Sequence, residues 1–182
     1  MSCYRMSEEE KKYLERYDIS EYERPSVATD MAIFSVMEAA EAENFRKLPK
    51  KSLKLLLVCR EAYPYKGSWA LPGGFCRPGE DVAETARREL FEETGIRAAE
   101  EEFELLESVR DGNIHFDHYC IQRDTPLSEV VLLPGETDDV QWATFQQVKE
   151  MIAEKKMCRI IARQFKRQEQ MLLSKQNIQK NP

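Results

Sequence analysis

The pattern of apolar and polar positions divides the chain into strands, one central helix, further strands and two terminal helices. Residues 26–37 and 53–60 predict strands, and the second is apolar on both faces, which is typical of a central strand. In residues 81–94 apolar positions recur every fourth residue, which predicts a helix that ends at Gly95. This order predicts an α/β protein of the α+β type, with a mixed β-sheet sandwiched between α-helices.

The rest of the chain follows the same rules. Residues 7–17 predict a helix that Ser7 caps, with Glu10 completing a capping box. Residues 38–51 are interpreted as a connection, 103–109, 114–122 and 140–143 as strands, and 145–155 and 158–173 as helices. We therefore expect a helical extension over residues 1–24, one domain over 25–173 and a flexible tail over 174–182.

Composition excludes several classes of protein. With 42% hydrophobic and 33% charged residues, the chain is typical of a globular protein and not of a disordered one. Its apolar runs are far shorter than the ~20 residues of a membrane span, and its polar N-terminus does not resemble a secretory signal. The five cysteines show no metal-type spacing, which favours a reducing, cytoplasmic compartment.

Net charge narrows the range of partners. The formal charge of −6 argues against a general nucleic-acid binder, which would need a basic surface. A small phosphate polyanion could bind an acidic site only through a bridging cation.

Three carboxylates crowd one face of the central helix. Glu89 is followed by Glu92 and Glu93, three and four positions later, so the three side chains are neighbours on the helix surface. Such oxygen-rich clusters suit Mg²⁺ or Mn²⁺. Before the helix, Gly73, Gly74 and Gly79 allow close approach of the backbone, and Glu80 is within reach of a salt bridge to Arg88.

These residues resemble the Nudix box at every fixed position. The matching positions are Gly74, Glu80, Arg88-Glu89-Leu90, Glu92-Glu93 and Gly95-Ile96. The preceding Trp-Ala-Leu-Pro-Gly-Gly (residues 69–74) and the later Val-Gln-Trp (residues 140–142) are also similar to the family, so the resemblance covers residues 26–155.

The resemblance implies a role for each matching residue. Glu89 and Glu93 correspond to principal metal ligands, Glu92 to a third carboxylate on the same metals, and the Gly74 backbone to a further metal contact. Glu80 and Arg88 correspond to the pair that orders the loop and helix. A distant loop often adds one more acid, for which Glu136 is the candidate here. The general base stays open among Glu89, Glu93 and Glu136.

Other side chains are candidates for substrate binding. Arg60 and Lys66 could bind phosphate, and Trp69 or Trp142 could stack on a base or simply pack in the core. His115 and His118 are three apart on a predicted strand and therefore face opposite sides, which disfavours a metal pair.

The implied activity is Mg²⁺- or Mn²⁺-dependent hydrolysis of a phosphoanhydride in a nucleoside diphosphate linked to another moiety. The sequence around the box is similar to the ADP-ribose branch, so ADP-ribose or a sugar nucleotide is favoured, although Asp111 stands where that branch often has proline. A nucleoside triphosphate is the alternative substrate. A silent nucleotide sensor is disfavoured by the intact carboxylates, and a fused DNA-binding regulator by the 40 residues after Trp142. Apolar side chains within residues 13–22 predict a homodimer.

Overall fold

A mixed sheet of seven strands forms the centre of the structure, a computed structural model that describes residues 6–18, 26–38 and 51–178. The strands are β1 (Ser26–Glu38), β2 (Lys51–Arg60), β3 (Trp69–Ala70), β4 (Gly73–Phe75), β5 (Glu104–Asp111), β6 (Ile114–Gln122) and β7 (Thr137–Thr144). The helices are α1 (Glu8–Arg16), α2 (Val82–Thr94), α3 (Phe145–Ala153) and α4 (Arg159–Ile178), with short 3-10 turns at Glu100–Glu102 and Leu127–Glu129.

The two longest strands organise the sheet. The strand order is β3-β2-β1-β6-β5, with β4 paired to β1 and β7 paired to β2. β1 runs parallel to β6 and antiparallel to β2 and β4. Because β4 pairs with β1 next to the start of α2, the sheet positions the loop that precedes this helix.

Apolar side chains on the two faces of β1 fill two separate cores. Met31 and Ile33 pack under α2, while Ala32 and Phe34 pack on the opposite face, where α3 and α4 cover the sheet. β2 contributes to both cores, as its double-faced apolar pattern predicts. The predicted sheet between helices is therefore confirmed.

Helix α1 is attached to the loop that follows β2. The Ser7 side chain accepts a hydrogen bond from the Glu10 backbone N–H at 3.0 Å. The Glu10 carboxylate is buried and accepts a hydrogen bond from the backbone N–H of Tyr65 at 3.0 Å. The Tyr63 hydroxyl donates to Glu9, and its ring lies 5.9 Å from that of Tyr13. The N-terminal helix thus packs against the domain.

Several elements extend beyond their predicted bounds. β7 begins at Thr137 instead of residue 140, because pairing with β2 continues to Arg60. α4 continues to Ile178, five residues past the predicted boundary at 173. The predicted connection over residues 38–51 lies mostly outside the described residues, and its two end residues belong to β1 and β2. None of the helices in the described ranges is long and apolar enough to cross a membrane.

Candidate active site

Helix α2 begins and ends at strong sequence signals. The Asp81 side chain accepts from the Glu84 backbone N–H, and the Glu84 side chain accepts from Asp81 in return, which completes a capping box. At the other end Gly95 adopts a left-handed conformation with φ of 70°, which glycine tolerates without strain. These signals set the register that places Glu89 and Glu93 one turn apart on one face.

Arg88 ties the loop before α2 to the helix itself. Its guanidinium donates to both oxygens of Glu80 at 2.7 and 2.9 Å and to the Phe75 carbonyl at 3.1 Å. It also donates to Glu89 at 2.7 Å and Glu92 at 2.9 Å. Hydrogen bonds from Arg88 lower the pKa of Glu80 to about 2. The structure therefore brings Glu80 and Arg88 together in the loop-ordering arrangement that the sequence predicts.

Glu93 lies deepest of the acidic residues on this face. Its side chain is buried, and one oxygen accepts a hydrogen bond from the Gly73 backbone N–H at 2.9 Å. Burial away from water raises the pKa of Glu93 to about 8, although the Gly73 hydrogen bond acts in the opposite direction. A carboxylate in this position gains from a cation that would offset the cost of its burial.

Glu89 faces a glycine that leaves room for its carboxylate. A Cβ atom built on Gly74 would lie 2.3 Å from Oε1 of Glu89, which is too close for any other residue without displacing the carboxylate. Burial also raises the pKa of Glu89, against the opposing influence of Arg88. Gly74 thus allows the backbone and the carboxylate to approach one point together.

The third acid arrives from a distant loop. The Glu136 carbonyl accepts a hydrogen bond from the Glu61 backbone N–H at 3.0 Å, just before β7 pairs with the end of β2. One carboxylate oxygen from each of Glu89, Glu93 and Glu136 lies within 4.8 Å of the other two. Strand pairing therefore brings an acid 43 positions after Glu93 to the face of α2.

The Glu92 carboxylate does not join the other three acids. Its carboxylate pairs with Arg88 at 2.9 Å and with Arg77 at 3.0 Å. It does not belong to the cluster of Glu89, Glu93 and Glu136. In this conformation Glu92 is held by two arginines on the side of the helix, whereas the resemblance implies a third carboxylate on the metals.

The cluster has the chemistry of a divalent-cation site. Three carboxylate oxygens at this mutual spacing, beside a backbone that glycine leaves open, suit Mg²⁺ or Mn²⁺, which prefer oxygen ligands. Within the described residues this is the one such cluster of three or more candidate ligands.

A family model described as the NUDIX domain matches residues 45–168, more than half of the chain. The chain belongs to the Nudix family. Its α2 with the preceding loop is the Nudix box in three dimensions.

Two relatives with assigned names match parts of the chain. The ADPR responsive transcriptional repressor NtrR of Acinetobacter baylyi is 39% identical over 89 residues, which cover 48% of this chain and 31% of that protein. The ADP-ribose pyrophosphatase of Methanocaldococcus jannaschii is 37% identical over 89 residues, 47% of this chain and 43% of that protein. The chain thus spans less than half the length of these relatives.

A solved structure shares the fold along nearly the whole chain. The NUDIX domain of Shewanella oneidensis NrtR, crystallised with ADP ribose, superposes with a TM-score of 0.61 over 92% of this chain and 99% of that domain. At 23% identity this similarity establishes the shared Nudix fold.

A cavity of about 640 Å³ is lined by the two glycines that contact Glu93 and Glu89. Arg60 and the glycine pair Gly73 and Gly74 line it, as do Asp30 and several tyrosines. Arg60 donates from Nε to the Pro64 carbonyl at 3.1 Å, which holds it at the end of β2. Arg60 therefore lines the cavity, and its positive charge also acts on the buried Glu93.

Other residues singled out from the sequence lie away from this cavity. Lys66 is exposed and Trp69 packs against the core under α4, and neither lines the cavity. Trp142 packs against the core under α2, and its indole N–H donates to the Thr125 carbonyl at 3.0 Å. His118 is buried and His115 is exposed, as their spacing predicts.

Asp30 lines the cavity, and the sequence analysis did not identify it. Its side chain is only 13% exposed. The available signal was a lone acid within the otherwise apolar run of β1, next to Met31 and Ile33. Buried acids are rare unless paired, which makes such a position informative.

Proposed function

We propose that this chain hydrolyses a phosphoanhydride bond in a nucleoside diphosphate linked to another moiety, with Mg²⁺ or Mn²⁺ as cofactor. The observation that carries the proposal is the convergence of Glu89, Glu93 and Glu136 from two distant segments to within 4.8 Å. A purely structural acidic face would not need a buried Glu93 against a glycine loop.

ADP-ribose is the substrate that we favour. The M. jannaschii relative is named an ADP-ribose pyrophosphatase, and the S. oneidensis domain of the same fold was crystallised with ADP ribose. A bifunctional Francisella tularensis protein with a similar fold, at 21% identity and a TM-score of 0.58, was crystallised with AMP and a Mn ion. These proteins support a diphosphate-linked nucleoside and a divalent cation.

Each carboxylate has a distinct place in the proposed mechanism. A divalent cation held by Glu89 and Glu93 would neutralise charge on the phosphate oxygens and make the attacking water more nucleophilic. Glu136 is exposed, so its carboxylate can reach that water and accept its proton. Arg60 would attract the leaving phosphate from the cavity side. The water oxygen bonds to one phosphorus, and the bridging P–O bond breaks.

The second candidate function is nucleotide sensing without turnover. The A. baylyi relative is an ADPR responsive transcriptional repressor, so a Nudix domain can serve regulation. The complete set of Glu89, Glu93 and Glu136 supports catalysis over this alternative.

A panel of nucleotides incubated with Mg²⁺ separates the candidates. We expect ADP-ribose to be converted to AMP and ribose 5-phosphate, with a higher kcat/KM than sugar nucleotides or nucleoside triphosphates. Faster conversion of a triphosphate would overturn the substrate assignment. ADP-ribose binding without product would favour the sensor.

A cytoplasmic location remains a prediction, with which the free thiols of Cys59, Cys76, Cys120 and Cys158 are compatible.

A further inference from the structure

Asp30 carries a buried oxygen without a hydrogen-bond partner. Oδ2 of Asp30 makes no hydrogen bond to any of the described residues. Oδ2 lies 3.5 Å from Nδ1 of His118, which belongs to β6, the strand that pairs in parallel with β1. That nitrogen makes no hydrogen bond either, and burial lowers the pKa of His118 to about 4, so the ring is neutral. Oδ2 is closed off from the cavity, whereas Oδ1 lies beside Gly73 in the cavity wall, so Oδ1 is the oxygen that a ligand's donor would reach.

The cavity that reaches Asp30 has mainly aromatic and aliphatic walls. Aromatic side chains from α1 and its C-cap, the loop after β2, β4 and β6 line it: Tyr13, Tyr17, Tyr63, Tyr65, Phe75 and Phe116. Its charged lining residues besides Asp30 are Glu10, which accepts a hydrogen bond from Tyr65, and the cations Arg60 and Arg159. An apolar cavity of about 640 Å³ with a few polar groups is typical of a small-molecule site.

Gly73 links the cavity wall to the metal-type cluster. The backbone N–H of Gly73 donates to Glu93, while a Cβ built on Gly73 would lie 2.9 Å from Oδ1 of Asp30. The positive charge of Arg60 acts on both carboxyl groups. A ligand whose diphosphate lies at Glu93 can therefore extend past Gly73 into the cavity.

We propose that Asp30 is a specificity-determining residue that accepts a hydrogen bond from the amino group of an aromatic base bound in this cavity. This inference rests on the proposed function for the diphosphate half of the site. Aromatic walls favour a planar base, because rings stack on it without needing further hydrogen bonds. The carboxylate then selects a base that presents a donor over one that presents a carbonyl oxygen.

A comparison of ADP-ribose with its hypoxanthine analogue tests the selection. In the analogue a carbonyl oxygen replaces the amino group. Burial raises the pKa of Asp30 to about 7, so at pH 8.5 the carbonyl would face an ionised carboxylate without a proton between them. We expect wild-type kcat/KM to favour ADP-ribose at least about tenfold at this pH, mainly through KM, because a hydrogen bond to a charged group contributes at least about tenfold in affinity.

Asp30→Asn replaces a hydrogen-bond acceptor with a side chain of nearly the same size that can also donate. Its amide can donate to the carbonyl of the analogue, so the preference for ADP-ribose should fall at least about tenfold while kcat changes less than about threefold. Asp117→Asn is the matched control, because Asp117 lies on the other face of β6 and bonds to Ser108. It should retain the wild-type preference. An unchanged preference in Asp30→Asn, or equal kcat/KM for the two substrates in wild type, would overturn the proposal.

Adenosine binding separates this inference from the proposed function. Calorimetry with metal-free protein should show that adenosine binds wild type more tightly than inosine, and that Asp30→Asn removes this difference. If ADP-ribose is not hydrolysed but this pattern is found, the hydrolase proposal fails and the Asp30 assignment stands. If hydrolysis occurs and wild type does not distinguish adenosine from inosine, the Asp30 assignment alone fails, even where Asp30→Asn does not fold.

Discussion

The substitution Glu93→Gln separates the demands of catalysis from those of folding. Glu93 is 7% exposed, and its carboxylate accepts from Gly73. Glutamine keeps that acceptor, and its amide group can donate to the nearby carboxylates of Glu89 or Glu136. The change therefore removes a buried charge and leaves the packing nearly intact.

The expected effect on stability follows from the raised pKa of Glu93. The folded-state pKa is about 8, against 4.5 for the unperturbed group. The contribution of Glu93 to stability is therefore fully present below pH 4.5 and is lost as pH rises through the folded pKa. Between pH 4.5 and pH 7, about 2.5 pH units, ionisation of the buried Glu93 lowers the free energy of unfolding by about 3 kcal/mol. Metal-free Glu93→Gln should be more stable by about that amount at pH 7 and equal to wild type near pH 4.5.

Divalent metal should reverse the order of stability. A bound cation stabilises the folded wild type by mass action, and Glu93→Gln lacks a ligand for it. Turnover of the variant should fall about a thousandfold, a loss of about 4 kcal/mol in transition-state stabilisation.

Denaturation with urea at pH 4.5, 7 and 8.5, with and without Mg²⁺, measures these effects. Glu101→Gln is the control, because Glu101 is exposed on a 3-10 turn away from the cluster and should show neither change. The reasoning fails if metal-free Glu93→Gln is less stable than wild type at pH 7, or if it retains a tenth of wild-type turnover.

Three further predictions concern the loop, the helix and the oligomer. Gly74→Ala should change stability by less than about 1 kcal/mol but weaken Mn²⁺ affinity at least about tenfold, because the new Cβ displaces the flexible end of Glu89. Calorimetric titration with Mn²⁺ measures this affinity, and an unchanged value would argue against Glu89 as a ligand. Glu80→Gln should lower the free energy of unfolding by about 2 kcal/mol at pH 7, because the pKa of Glu80 is lowered to about 2 in the folded state. This stabilisation is lost as pH falls from 4.5 through 2. Urea denaturation at pH 7 and 3 should therefore show a smaller cost at pH 3. A homodimer through the exposed apolar side chains of α1 predicts a dimeric mass by light scattering at micromolar concentration, which a monomeric mass would contradict.

The local part of the site could be predicted from the sequence. The spacing of apolar residues, the cap at Asp81 and the stop at Gly95 all act within α2, so they set which acids share a face. The geometry of Glu80 and Arg88 also depends on this short segment.

The remaining features depend on contacts between distant segments. Arg77, from the loop before α2, helps to hold Glu92 in ion pairs, which helix periodicity cannot indicate. Asp30 becomes a cavity residue because β1 pairs with β6 in parallel and with β4 beside Gly73. β7 starts early because of its pairing with β2, which also delivers Glu136. The apolar pattern of one strand indicates which of its faces is buried, but it does not indicate which distant strand pairs with it.

Metal removal and restoration test the central claim most directly. Wild-type protein is treated with a chelator, dialysed and mixed with ADP-ribose, and AMP and ribose 5-phosphate are quantified before and after addition of Mg²⁺ or Mn²⁺. We predict that product formation in the chelated sample is at least about a thousandfold slower than after the cation is restored. Undiminished formation of both products by fully chelated protein would contradict the account.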